Sequence, residues 1–152
     1  MTKRFNFGQE YLLYPANTFP HKNHEFLFQA FASANTRFNL VLTGAGTDFL
    51  NGLSTRARTL RRCIRDSTQT GSGEIFGLGY LSKQDYLTVH EYCAAVVFPT
   101  LMEGFGFPLV EALVRSKPLL ASNLECVTET VDLINGDAIY FDPTKVDDLS
   151  RK

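Results

Sequence analysis

Short apolar runs alternate with longer amphipathic stretches along the chain. Tyr11-Leu12-Leu13-Tyr14 predicts a first strand closed by Pro15. Residues 21–34 predict a helix, since Phe26, Leu27, Ala30 and Phe31 recur at helical spacing. Phe38 to Thr43 reads as a second strand running into Gly44-Ala45-Gly46. Leu53 to Asp66 reads as a helix with Arg56, Arg58, Arg61, Arg62 and Arg65 on its wet side, followed by a loop at Gln69 to Gly73. Glu74 to Leu78 is a third strand. Ser82 caps a helix reaching Tyr92, with Asp85 as an acidic first-turn residue. Ala94 to Pro99 is a continuous apolar run, the mark of a central parallel strand buried on both faces. Pro108 opens a further helix that Lys117-Pro118 ends. Leu119 to Ala121 is a strand, Val127 to Ile134 a helix closed by Asn135-Gly136, and Ala138 to Phe141 a last strand. Asp142-Pro143 begins a final helix that stops at Lys152.

Strand and helix thus alternate about six times. That pattern predicts an α/β fold: a single Rossmann-like domain with an about six-stranded parallel sheet and helices on both faces. Residues 1–10 read as a polar lead-in or linker remnant, and residues 11–152 as the domain. Ligands in such sheets bind beyond the carboxyl ends of the strands, near the point where strand order reverses. The loops after each strand are therefore the places to look for chemistry.

The 152 residues suffice for one domain with its own core. A formal net charge of -1 gives no reason to expect a nucleic-acid partner. No apolar run is long enough to span a membrane, and residues 1–10 lack the layout of a signal peptide. Cys63, Cys93 and Cys126 are far apart and odd in number, which fits reduced thiols in a cytoplasmic protein.

The sharpest local signal is Glu103-Gly104-Phe105-Gly106-Phe107-Pro108-Leu109-Val110-Glu111, directly after the buried run. Glycines let a backbone pass close to a ligand, and a helix opened by Pro108 turns its free amides and positive dipole end to the same crevice. One acid could then face a sugar while the other accepts from ribose hydroxyls. The plainer reading makes Glu103 a turn residue and Glu111 a charge favouring the helix start.

Pro20-His21-Lys22-Asn23-His24 puts a lysine at a helix start, where the dipole disfavours it. An anion bridging Lys22 and the helix end would remove the conflict; an ordinary solvated lysine is the alternative. His21 and His24 could form a metal pair, but no third ligand stands nearby. Gly44-Ala45-Gly46 offers another backbone approach, yet Phe49 stands where a dinucleotide fingerprint needs its third glycine. Leu78-Gly79-Tyr80-Leu81 could be a ledge for a base or simple core packing.

In wording and spacing, Glu103 to Glu111 resembles the E-x7-E motif of retaining family 4 glycosyltransferases of the GT-B fold. The likeness extends through YPANTFPHKNHEFLFQAF, LVLTGAG, LGYLS, AAVVFPTLMEGFGFPLVEAL, KPLLASN and DAIYFDP in family order, covering roughly Tyr11 to Leu149. It implies the C-terminal, nucleotide-sugar-binding half of such an enzyme. Glu103 would then lie against the donor sugar and Glu111 would bind ribose. Lys22 would hold the diphosphate, as one of two catalytic residues with Glu103. Gly104, Phe105, Gly106 and Phe107 would line the sugar and diphosphate, Gly44 would pass near the phosphates, and Tyr80 and Leu81 would meet the base. Asn17 stands where the family often has an arginine. No cofactor or metal is implied, because protein groups stabilise the leaving diphosphate.

The resemblance therefore implies transfer of a hexose from GDP-mannose or a UDP-sugar to a glycan or lipid-linked acceptor. In GT-B enzymes an N-terminal domain binds the acceptor. The chain alone is therefore expected to be inactive without that domain or a separate subunit, and to self-associate through an uncovered apolar cleft face. Peripheral membrane association of a full enzyme is compatible with such acceptors. The competing expectation is a non-catalytic nucleotide- or phosphate-binding Rossmann module acting with a separate subunit.

Overall fold

The computed structural model describes residues 5–48, 54–67 and 73–152. The expected helix start at Leu53, the loop residues Gln69 to Ser72, and Phe49 lie outside them. The elements run β1 (Tyr11–Pro15), a 3-10 turn (Pro20–Lys22), α1 (His24–Ser33), β2 (Asn39–Thr43), α2 (Thr55–Ser67), β3 (Ile75–Gly77) and α3 (Lys83–Glu91). They continue β4 (Ala95–Phe98), α4 (Phe107–Val114), β5 (Leu119–Ser122), α5 (Glu125–Leu133), β6 (Ile139–Phe141) and α6 (Val146–Ser150).

Among the described residues the strands form one six-stranded sheet in the order β3-β2-β1-β4-β5-β6. Every pairing is parallel, from Tyr11 opposite Asn39 to Ser122 opposite Phe141. The chain winds outward from β1 to β3, returns to the middle at β4 and winds the other way to β6. Right-handed crossovers in opposite directions put helices on both faces. Contacts join α1 to α2 and to α6 on one face, and α4 to α5 on the other. The expected fold class is thus the observed one.

The apolar run that singled out β4 owes its pattern to this position: all four residues of Ala95–Phe98 are buried between β1 and β5. On α3, Ser82 Oγ accepts from the Asp85 amide at 3.2 Å, a cap worth about 1 kcal/mol. At the far end of α3, Lys117 donates to the Glu91 and Cys93 carbonyls and closes orphan acceptors.

Ahead of β1, Phe5 and Phe7 are buried. The Phe7 ring lies 4.9 Å from Tyr11 and 5.1 Å from Phe76, and Asn39 Nδ2 donates to the Phe7 carbonyl at 2.7 Å. The packed core therefore reaches back past Tyr11.

Local boundaries differ from the pattern in explicable ways. α1 begins at His24 because Asn23 sits in the left-handed region (φ 58°) and separates it from the proline-led turn. α4 stops at Val114, with Ser116 also left-handed (φ 53°), before Lys117-Pro118 is reached. Arg56 is not on the wet side of α2. It is half-buried, donates from Nε to the Thr18 carbonyl at 3.0 Å and pairs with Glu25 on α1.

Candidate functional site

The strand order reverses between β1 and β4, so the loops leaving these two strands face each other at the carboxyl edge. They are sewn together. The His21 carbonyl accepts from the Leu101 amide at 2.8 Å and lies 3.2 Å from the Thr100 hydroxyl. Lys22 and Glu103, the two expected catalytic residues, come together through that seam.

Lys22 Nζ lies 2.5 Å from Glu103 Oε2, with side chains 12% and 17% exposed. The ammonium also sits 5.9 Å from the centre of the buried Phe98 ring. Tyr14, wholly buried in β1, donates its hydroxyl to the Lys22 carbonyl at 2.7 Å and fixes the turn that carries the lysine. Burial, and secondarily the Glu103 charge, hold that phenol far above its ordinary pKa, so it remains a donor. This arrangement answers the question of the misplaced lysine. Lys22 is outside α1, and its counter-charge is Glu103, eighty-one positions along the chain.

After Glu103 the backbone turns through Gly106 (φ 75°, ψ 53°), the left-handed residue that caps α4. An L side chain would be strained there. Pro108 lies in the first turn of α4, as expected. Glu103 Cγ and the Phe98 ring flank the site of a Gly106 Cβ at 3.5 Å each, so the loop folds back over its own acid. Around Gly104, by contrast, nothing lies within 4 Å of a would-be Cβ. Phe105 and Phe107 are exposed, their rings 5.3 Å apart.

A crevice of about 450 Å³ at the same carboxyl edge of the sheet has Asn17, Gly44, Tyr80, Leu81, Lys83 and Tyr86 on its lining, whereas Lys22, Glu103 to Phe107 and Glu111 do not line it. Four of the expected donor-binding residues thus share one wall-to-wall space. A Cβ on Gly44 (φ 126°) would come within 2.7 Å of the Ala16 carbonyl carbon, so this glycine lets the loops after β1 and β2 touch. Asn17 Oδ1 accepts from the Phe19 amide at 3.2 Å and shapes the crevice wall. Tyr80 is fully displayed at 88% exposure, whereas Leu81 is half-buried against the core.

Glu111 is reached differently. Its Oε2 accepts from the Tyr86 hydroxyl, and Tyr86 is the residue that links it to the crevice. Tyr14, Thr100 and Tyr86 carry no local signal, because each acts through a partner that only the fold brings near: the Lys22 carbonyl, the His21 carbonyl and Glu111. His21 and His24 do not form a pair. His24 is buried between the Tyr14 and Phe28 rings, while His21 lies in the turn against Phe19. Among the described residues no three His, Cys, Asp or Glu gather into a metal-binding group.

A doubly wound parallel sheet with these loops at its switch point is a Rossmann-like domain. The chain belongs to the glycosyl transferases group 1 family, whose model matches residues 2–152. It is 31% identical over 150 residues to the O-antigen chain mannosyltransferase B of Escherichia coli, covering 93% of this chain and 35% of that protein. It is 27% identical over 154 residues to the serotype-specific mannosyltransferase WbdA of Escherichia coli, covering 97% of this chain and 17% of that one. The chain therefore spans about a third or less of these relatives' lengths. Among solved structures, sucrose-phosphate synthase from Thermosynechococcus elongatus superposes with a TM-score of 0.76 at 18% identity, over 97% of this chain and 36% of that one. HepE of Anabaena in complex with UDP-glucose superposes with a TM-score of 0.75 at 21% identity, over 95% and 38%. At such identities these structures establish the fold. Among the described residues no helix is long and apolar enough to cross a membrane.

Proposed function

We propose that this domain binds a nucleoside diphosphate sugar across the carboxyl ends of β1 and β4, as the donor half of a retaining family 4 glycosyltransferase of the GT-B fold. The observation that carries this reading is the Lys22–Glu103 pair, largely buried between the loops after β1 and β4, at the carboxyl edge that also holds a crevice lined by Asn17, Gly44, Tyr80 and Leu81. In this reading Lys22 on the β1 loop and the free first-turn amides of α4 together supply placed positive charge where a diphosphate leaves. Glu103 would face the sugar ring as the anomeric C–O bond breaks, its electron pair leaving on the diphosphate oxygen, and the acceptor oxygen bonds to the same face while its proton passes to that diphosphate oxygen. In this reading Lys22 and the amides of Phe105, Gly106 and Phe107 balance the charge, without calling on a metal. Gly104, which the fold itself leaves unhindered, would let the sugar approach the backbone.

Two mannosyltransferase relatives support a mannosyl donor, read here as GDP-mannose, and the UDP-glucose complex of HepE supports a nucleotide sugar more broadly. Phe19, Met102, Phe105 and Phe107, exposed on the segments after β1 and β4, are apolar surface that an acceptor-binding domain or subunit would cover. Transfer needs both substrates fixed together, so this domain by itself binds donor without transferring it.

Calorimetry with GDP, UDP, ADP and their sugars tests the reading. One nucleoside diphosphate should bind, and Lys22→Ala should weaken it by tenfold or more. Unchanged binding in Lys22→Ala, or no binding of any of the three, removes the reading. In an assembled enzyme, full transfer by Glu103→Gln would leave only a binding module.

A further inference from the structure

Glu111 sits on α4 and the crevice is walled largely from the other side, by the loops after β1, β2 and β3 and the start of α3. Tyr86 belongs to both. Its ring lines the crevice, and its hydroxyl donates to Glu111 Oε2. Resting on the donor-binding reading above and on the ribose role that the family resemblance implies for Glu111, we infer that Tyr86 is a positioning residue, holding the Glu111 carboxylate as a ready acceptor for the ribose diol of the nucleotide.

The physical case has three parts. A glutamate on a helix surface has several free torsions, and freezing them on binding weakens affinity. Tyrosine has two, and this one is already held: its ring meets the buried His90 edge-on at 5.7 Å. Second, a carboxylate has two oxygens with about four acceptor positions between them. The phenol takes one on Oε2 and leaves Oε1 for a vicinal pair of hydroxyls. Third, burial, and then the bond to Glu111, raise the Tyr86 phenol far above its ordinary pKa. The phenol therefore keeps its proton and Glu111 is always the acceptor.

Calorimetry of GDP and UDP, each beside its 2′,3′-dideoxy analogue, tests this on the wild-type chain, Tyr86→Phe and Glu111→Ala. The wild type should prefer the ribose form, and Glu111→Ala should erase that preference. Tyr86→Phe keeps the ring and should weaken ribose-form binding by about tenfold while leaving dideoxy binding unchanged. Equal weakening of both forms would mean a merely structural tyrosine and overturn the inference. So would no change in either. A ribose preference that survives Glu111→Ala, or is absent from the wild type, removes the role of Glu111 and the inference with it. Thermal unfolding of both variants separates loss of fold from loss of positioning.

Discussion

Lys22 and Glu103 lie on loops from different strands, and their charged ends meet at 2.5 Å with each side chain more than four-fifths covered. Removing one charge strands the other in a place where water cannot fully solvate it. Lys22→Met should therefore cost about 1–3 kcal/mol of stability, and adding Glu103→Gln should restore part of the loss. Urea unfolding of the two single variants and the double variant measures this. Strictly additive losses would mean that the pair is not coupled in solution.

Two glycines of the site ought to behave oppositely. Gly44 is left-handed at φ 126°, and an added Cβ would stand 2.7 Å from the Ala16 carbonyl. Gly44→Ala should cost about 2–4 kcal/mol, since the β1 and β2 loops must part. Gly104 has open space around it, so Gly104→Ala should change stability by less than about 0.5 kcal/mol. If the Gly104 backbone meets the donor sugar, the same substitution should still weaken nucleotide-sugar binding more than binding of the bare diphosphate. Denaturation curves and calorimetry together check the contrast.

Phe7 precedes the first strand yet packs on Tyr11 and Phe76. Phe7→Ala should destabilise the domain by about 3 kcal/mol, the usual loss for emptying a buried aromatic site. A change below about 0.5 kcal/mol in urea unfolding would show this segment to be detached from the core in solution.

The middle of the sheet was legible because β1, β2, β4 and β5 are almost wholly buried, while the edge strands β3 and β6 are only partly so. A run such as Ala95 to Phe98 admits little else, and the intervening helices carry their apolar residues at helical spacing. Glu103 to Glu111 was legible for a local reason: glycines, a proline and acids within nine residues dictate a loop-to-helix turn. Phe5 and Phe7 were hidden by polar neighbours, since a single aromatic in a polar stretch has no period to betray it. Arg56 was misplaced because helical spacing cannot foresee a carboxylate, Glu25, on the neighbouring helix. Tyr86 was out of reach for the same reason, as its partner lies twenty-five residues away on another helix.

His24 is fully buried, and neither ring nitrogen has a hydrogen-bond partner among the described residues. Burial first, then the Arg56 and Lys22 charges, lower its pKa from 6.5 to about 3. The folded state thus refuses a proton that the unfolded state accepts below about pH 6.5. The stability held above that pH is lost as pH falls from there toward about 3, at up to about 1.4 kcal/mol per pH unit. His90, buried and also lowered by desolvation, pulls in the same direction. Asp142, whose carboxyl Lys145 and Thr144 hold well below the usual range, contributes a loss only below about pH 5 and leaves the range from pH 7 to pH 5 alone. Between pH 7 and pH 5 His24 alone should cost the wild type about 2 kcal/mol. In His24→Phe that share of the loss should vanish, while the ring still fills the space between Tyr14 and Phe28. Urea unfolding at the two pH values decides it: equal losses in wild type and variant would mean that His24 is not held neutral by the fold.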